Sequence, residues 1–105
     1  MPQNAQNATY NLVLADAGKH IVKSDTSAYT WTIPANASVA YPIGTAITFV
    51  NYGSAGSVTI AITSDTMYLA GDTGGATGSR TLEPYAVATA IKVASTTWII
   101  SGNVF

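Results

Sequence analysis

From Tyr10 onward the chain alternates apolar and polar residues with a period of two, the mark of a strand with one buried face. Tyr10, Leu12 and Leu14 share one side, and Asn11, Val13 and Ala15 the other. Asp16-Ala17-Gly18 supplies a turn. His20 to Lys23 predicts a short second strand, followed by the polar Ser24 to Ser27. Tyr29, Trp31 and Ile33 then face Ala28, Thr30 and Thr32 across a third strand. Pro34 ends it, because proline has no N–H to give a ladder. Residues 35–45 form a connection punctuated by Pro42 and Gly44.

The next strand runs from Ala46 to Asn51. Tyr52 to Gly56, with two glycines, predicts a hairpin loop returning into Ser57 to Thr63. A short strand follows over Thr66 to Leu69, then the glycine-rich Gly71 to Ser79, read as a mobile surface loop, then a brief pairing segment over Arg80 to Leu82. Ala86 to Val93 and Thr97 to Ser101 make a final hairpin turning at Ala94-Ser95-Thr96. No segment of ten residues carries the helical period, and no internal repeat is visible. Short strands at this spacing predict an all-β domain, an antiparallel β-sandwich of jelly-roll or Greek-key type over residues 10–105. Residues 1–9 are polar and uncharged and read as a short, flexible N-terminal arm.

Composition narrows the function classes. Of 105 residues 48% are hydrophobic, but only four are basic and five acidic, for a net charge of −1. Lys19, Lys23, Arg80 and Lys92 are scattered, so no basic patch is offered to nucleic acid or to an anionic membrane surface. So thin a charge suits a surface covered by neighbours better than that of a free monomer. No segment reaches the length of a transmembrane helix, and Met1 to Ala8 lacks the features of a signal peptide, so synthesis in a cytoplasm is expected. Cysteine is absent, which removes disulfides.

Catalytic constellations are scarce. His20 is the only imidazole, and Asp16 lies four residues before it across a turn. A strand histidine beside a turn is the simpler reading. One histidine and no cysteine make a zinc site unexpected. Asp65 and Asp72 have turn-capping positions rather than calcium-loop spacing. Glu83 and Asp72 are the only acids to weigh as a glycosidase pair, and two acids from five are a coincidence more readily than a site. Gly71 to Gly78 lacks the Gly-Lys-Ser/Thr ending of a phosphate loop. No enzymatic activity and no cofactor are expected. Trp31 and Trp98 fall within strands and read as core, whereas Tyr41, Tyr52, Tyr68 and Tyr85 fall at strand ends or in loops, where tyrosine suits an interface or stacks on a sugar. With Pro2, Gln3 and Asn4 of the arm, these four tyrosines are the interface candidates.

The opening Tyr10-Asn11-Leu12-Val13-Leu14-Ala15-Asp16-Ala17-Gly18-Lys19-His20-Ile21 resembles a recurrent start of small β domains in tailed-phage structural proteins. Thr32 to Val39, Tyr41 to Thr45, Ala90 to Val93 and Thr97 to Gly102 fit the same pattern in the same order, so the resemblance spans roughly residues 10–103. It implies a β-sandwich, a place in the virion and trimeric assembly, with no enzymatic residues to carry over. The chain reads as a complete gene product without a long shaft. That favours a capsid decoration, or cement, protein on the head surface, bound to the major capsid protein, over the alternative of a head-fibre or tail-fibre module recognising a host glycan.

Overall fold

Ten strands, one 3-10 turn and no α-helix make up the computed structural model, which describes residues 1–105. The strands are β1 (Gln3–Ala5), β2 (Tyr10–Asn11), β3 (His20–Lys23), β4 (Tyr29–Ile33), β5 (Ala46–Asn51), β6 (Val58–Ile62), β7 (Thr66–Leu69), β8 (Arg80–Leu82), β9 (Val87–Ala94) and β10 (Thr97–Gly102). They form a six-stranded sheet, β1-β3-β5-β9-β10-β7, and a four-stranded sheet, β2-β4-β6-β8. The chain is all-β as expected, but both sheets are mixed rather than antiparallel. β1, β3 and β5 run parallel in one sheet, and β2, β4 and β6 run parallel in the other.

The first nine strands alternate between the sheets, and the parallel pairing of the first six winds the chain as three stacked rungs, β1–β2, β3–β4 and β5–β6. The expected hairpin over residues 46–63 is therefore a crossover, since β5 and β6 lie in different sheets. Turn residues mark a change of direction without saying whether the returning strand pairs with the first. The glycines at this crossover serve close stacking instead. A Cβ at Gly53 would overlap the Asp25 carbonyl and sit 2.6 Å from Lys23 Nζ, and one at Gly56 would overlap the Ser27 carbonyl. The arm expected over residues 1–9 is built into the first rung. His20 N donates to Pro2 O at 3.0 Å and Gln6 N to Val22 O at 2.8 Å. Asn7 and Ser24 exchange two further bonds between the first and second crossovers.

The strand expected over Tyr10 to Ala15 stops at Asn11. The Asp16 carboxylate, 1% exposed, accepts from Val13 N, Asn4 Nδ2 and Tyr10 OH and turns the chain into the 3-10 segment Leu14–Asp16. The final hairpin is as expected, β9 pairing antiparallel with β10 and also with β5. The inward residues of both sheets share one core. Ile21, Ile47, Phe49, Met67, Trp98 and Ile100 come from the six-stranded sheet, and Trp31, Ile33, Val58, Ile60 and Leu82 from the four-stranded one. Trp31 and Phe49 meet with ring centroids 6.2 Å apart. Trp31 and Trp98 are core, as the strand pattern indicates.

Stacked crossovers set a testable asymmetry among the glycines. Gly53→Ala is expected to lower stability by about 3 kcal/mol, because the added methyl meets backbone and a buried ammonium. Gly44→Ala, at φ +94 in open space, is expected to cost only about 1 kcal/mol. Urea denaturation of the two variants measures the difference.

Candidate functional site

The outer face of the six-stranded sheet is the largest regular surface of the molecule without charge. Register places its outward residues in rows across the strands. One row is Ala5, Val22, Val50 and Val87. The next is Gln3, His20, Thr48, Thr89 and Ser101. A third is Ala46, Ile91, Ile99 and Tyr68. Val93 lies beyond it. No outward residue of these strands is Lys, Arg, Asp or Glu. The middle row ties its polar groups to one another: His20 Nε2 lies 3.0 Å from Gln3 Oε1, and the Thr48 and Thr89 hydroxyls are 2.9 Å apart. Val87, Ile91, Val93, Ile99 and Tyr68 are each more than a third exposed. A sheet with one solvated face normally alternates apolar inside with polar outside. Here the outward side of β9 is apolar except for Thr89, with Val87, Ile91 and Val93 opposing the inward Ala88, Ala90 and Lys92.

The outer face of the four-stranded sheet differs. Thr30, Thr59 and Thr81 form one row, with Asn11, Thr32 and Ala61 beside them. Its hydroxyls hydrate readily, so this face is suited to water.

A second feature lies where β5 ends and β9 begins. Tyr52 and Tyr85 are 67% and 69% exposed, with ring centroids 6.3 Å apart and planes at 83°. Tyr85 has φ +62, the only residue other than glycine with a positive value. That conformation is disfavoured for a bulky side chain. It is held from both sides: Tyr85 N donates to Asn51 O at 2.7 Å, and Asn51 N donates to Ala86 O at 3.0 Å. Asn51 is itself fully buried, its side chain bonded to Gly53 N, Gly56 O, Leu82 O and Lys23 Nζ. Beside Tyr85 opens a cavity of about 520 Å³ lined by Glu83, Pro84, Tyr85, Ala86, Asn103, Val104 and Phe105.

The interface candidates separate accordingly. Pro2 and Gln3 are exposed at the β1 edge, and Tyr68 joins the apolar sheet row. Tyr52 and Tyr85 form the aromatic corner. Asn4 is half-buried, its amide spent on Tyr10 and Asp16. Tyr41 is not on a rim but in the core, 3% exposed, edge-on to Trp98 at 5.7 Å with its hydroxyl donated to Val13 O. The connection 35–45 folds inward because Lys92 Nζ, also buried, holds Asn36 Oδ1 and the Tyr41 carbonyl. Burial, then the negative Asp16, pushes the Tyr41 phenol well above its ordinary range.

The acids are mostly engaged internally. Asp25 takes the Tyr29 hydroxyl and Ser27 N, Asp65 takes Asn36 N, and Asp72 takes Ala76 N. The Glu83 side chain is bound to nothing. No three His, Cys, Asp or Glu residues gather as metal ligands. The apolar sheet rows were missed from sequence, although the β-branched residues on the outward parity of β9 were a signal for them. Comparison with family models, curated proteins and solved structures finds no match to this chain.

Two outcomes follow from this geometry. Tyr85→Gly removes the strain and is expected to raise stability by about 1 kcal/mol, read as a higher urea midpoint. Tyr41 is held neutral in the folded chain above the unfolded value of 10.0. Its contribution is therefore complete below that pH and lost as pH rises toward the folded value. Stability is expected to fall from about pH 10 upward, and to fall less steeply in Tyr41→Phe, in urea titrations across the alkaline range.

Proposed function

We propose that this chain is a non-enzymatic structural protein of a phage virion, a capsid decoration protein that stiffens the head. Its two sheets form a sandwich. Copies associate as a trimer and bind where major capsid subunits meet, after synthesis in the host cytoplasm. The resemblance of residues 10–103 motivates the setting. The observation that carries the reading is the uncharged outer face of the six-stranded sheet, with its rows of Val, Ile and Tyr.

Such a face is costly to leave in water and favourable to cover, at roughly 25 cal/mol per Å² of apolar surface removed. Six strands about 4.8 Å apart, three to eight residues long at about 3.3 Å per residue, give a flat footprint near 500 Å², somewhat under the roughly 800 Å² per partner of a standard interface. The mechanism is interfacial throughout. Each copy adds buried area at a junction, and many copies together resist pressure from within.

Light scattering of the purified protein is expected to give three times the 10.8 kDa chain mass, and the protein is expected to bind emptied or expanded capsids. Ile91→Lys places a charge opposite Ile99 and Ala46. It is expected to change folding stability by less than about 1 kcal/mol while reducing the mass to that of a monomer and abolishing capsid binding. A wild-type monomer that ignores capsids overturns the reading.

A further inference from the structure

We propose that the corner formed by Tyr52, Tyr85, Glu83 and Asn103 is a binding site for a neutral oligosaccharide. It lies where the apolar sheet rows end and goes beyond the decoration role.

Three independent observations converge on it. The first is the aromatic geometry. Tyr85 lines the 520 Å³ cavity and meets Tyr52 edge-on outside it. The cavity falls in the size range of small-molecule sites, with room for a pyranose ring. Tyr85 presents a flat apolar surface to the C–H face of that ring, and Tyr52 offers a second at right angles to a neighbouring sugar. The second is the polar lining. Glu83 is the only charged residue of the cavity, and its carboxylate is the one acidic side chain not engaged within the protein. With the exposed Asn103 it supplies acceptors and a donor set for sugar hydroxyls. A lone carboxylate also repels uronic and sialic acids, which sets the class as neutral. The third is the backbone. Tyr85 is kept at positive φ by its own N–H bond to the Asn51 carbonyl and by the bond from Asn51 N to the next residue's carbonyl, Ala86 O, with Asn51 itself locked by four partners. Strain held by so rigid a support is characteristic of a functional position, and nothing in the packing of the core needs this exposed ring.

The size of the site favours a saccharide over a protein. Two rings and a small cavity fall well short of the roughly 800 Å² per partner that a stable protein contact takes. Polar groups converging beside an apolar floor suit a ligand rich in hydroxyls.

The test is amide NMR of the full-length protein titrated with maltose, cellobiose, lactose, N,N′-diacetylchitobiose and sialyllactose. At least one neutral sugar is expected to shift Tyr85, Ala86 and Asn103 with an affinity of about 1 mM, and sialyllactose to bind more weakly. Tyr85→Gly, which suits the backbone, is expected to keep the fold and weaken binding at least about tenfold. Tyr52→Ala is expected to weaken disaccharides more than the corresponding monosaccharide. Glu83→Gln is expected to narrow the gap between neutral and sialylated ligands. The proposal is overturned if no neutral sugar shifts these amides, if Tyr85→Gly binds as wild type does, or if Tyr52→Ala and Tyr85→Gly instead change the oligomer mass, which would make the corner a protein contact. Because the titration needs no capsid, its failure is distinct from failure of the decoration role.

Discussion

The ammonium of Lys23 is the interaction on which the rest of this fold turns. A chain that passes from sheet to sheet with each strand must stack its crossovers, and their carbonyls point inward with no ladder to receive them. Lys23, fully buried at the end of β3, donates to the carbonyls of Asp25, Ala55 and Gly56, with the Asn51 amide oxygen at 3.4 Å and the Asp25 carboxylate at 3.9 Å. Burying an ammonium costs several kcal/mol unless its protons are met. Here they are met by the groups that would otherwise be orphaned. Two crossovers, 24–28 and 52–57, are thereby fastened to each other, and Gly53 and Gly56 let them approach closely enough for one cation to reach both.

That cluster extends outward to the surface. Asn51 accepts from Gly53 N, donates to Gly56 O and Leu82 O, and through its own backbone pins Tyr85 N and Ala86 O. A strained tyrosine is thus two steps from a buried lysine. The same economy acts at the other crossovers, where Asp16 gathers Asn4, Tyr10 and Val13, and Lys92 gathers Asn36 and Tyr41. Three of the nine charged residues are therefore spent inside. The surface is poorer in charge than the composition indicates, and the outer strand faces carry none.

Local signals were legible where strand partners are sequence neighbours. The β9–β10 hairpin was visible because its turn separates two strands that do pair. The Tyr52 to Gly56 loop carries equally strong turn residues, but β5 and β6 pair not with each other but with β3 and β4 one rung back and with β9 and β8 further on. No alternation reports a pairing at that distance, and the three rungs share no repeated sequence. The tyrosines show the same limit. Tyr41 and Tyr52 both sit in connections, yet the ring of Tyr41 packs on Trp98 and its carbonyl accepts from Lys92, contacts more than fifty residues away in sequence. The buried lysines did leave a trace. Lys23 shares the parity of Ile21, and Lys92 that of Ala88 and Ala90, so both continue an inward row.

Assembly and ligand binding ask different things of the surface, and the two features meet at one end of the same sheet face. The last apolar row of the large sheet passes through Val50 and Val87, and Tyr52 and Tyr85 lie two residues beyond it on the connecting loops. The cavity is lined by residues 83–86 and 103–105 and opens past the strand ends. Flat apolar rows gain from being covered over their whole extent. A strained ring over a small, mostly apolar cavity gains from a ligand small enough to enter. The loops can hold that strain because they are anchored through Asn51 to the most tightly satisfied polar cluster in the core, so its cost falls on the fold rather than on the interface.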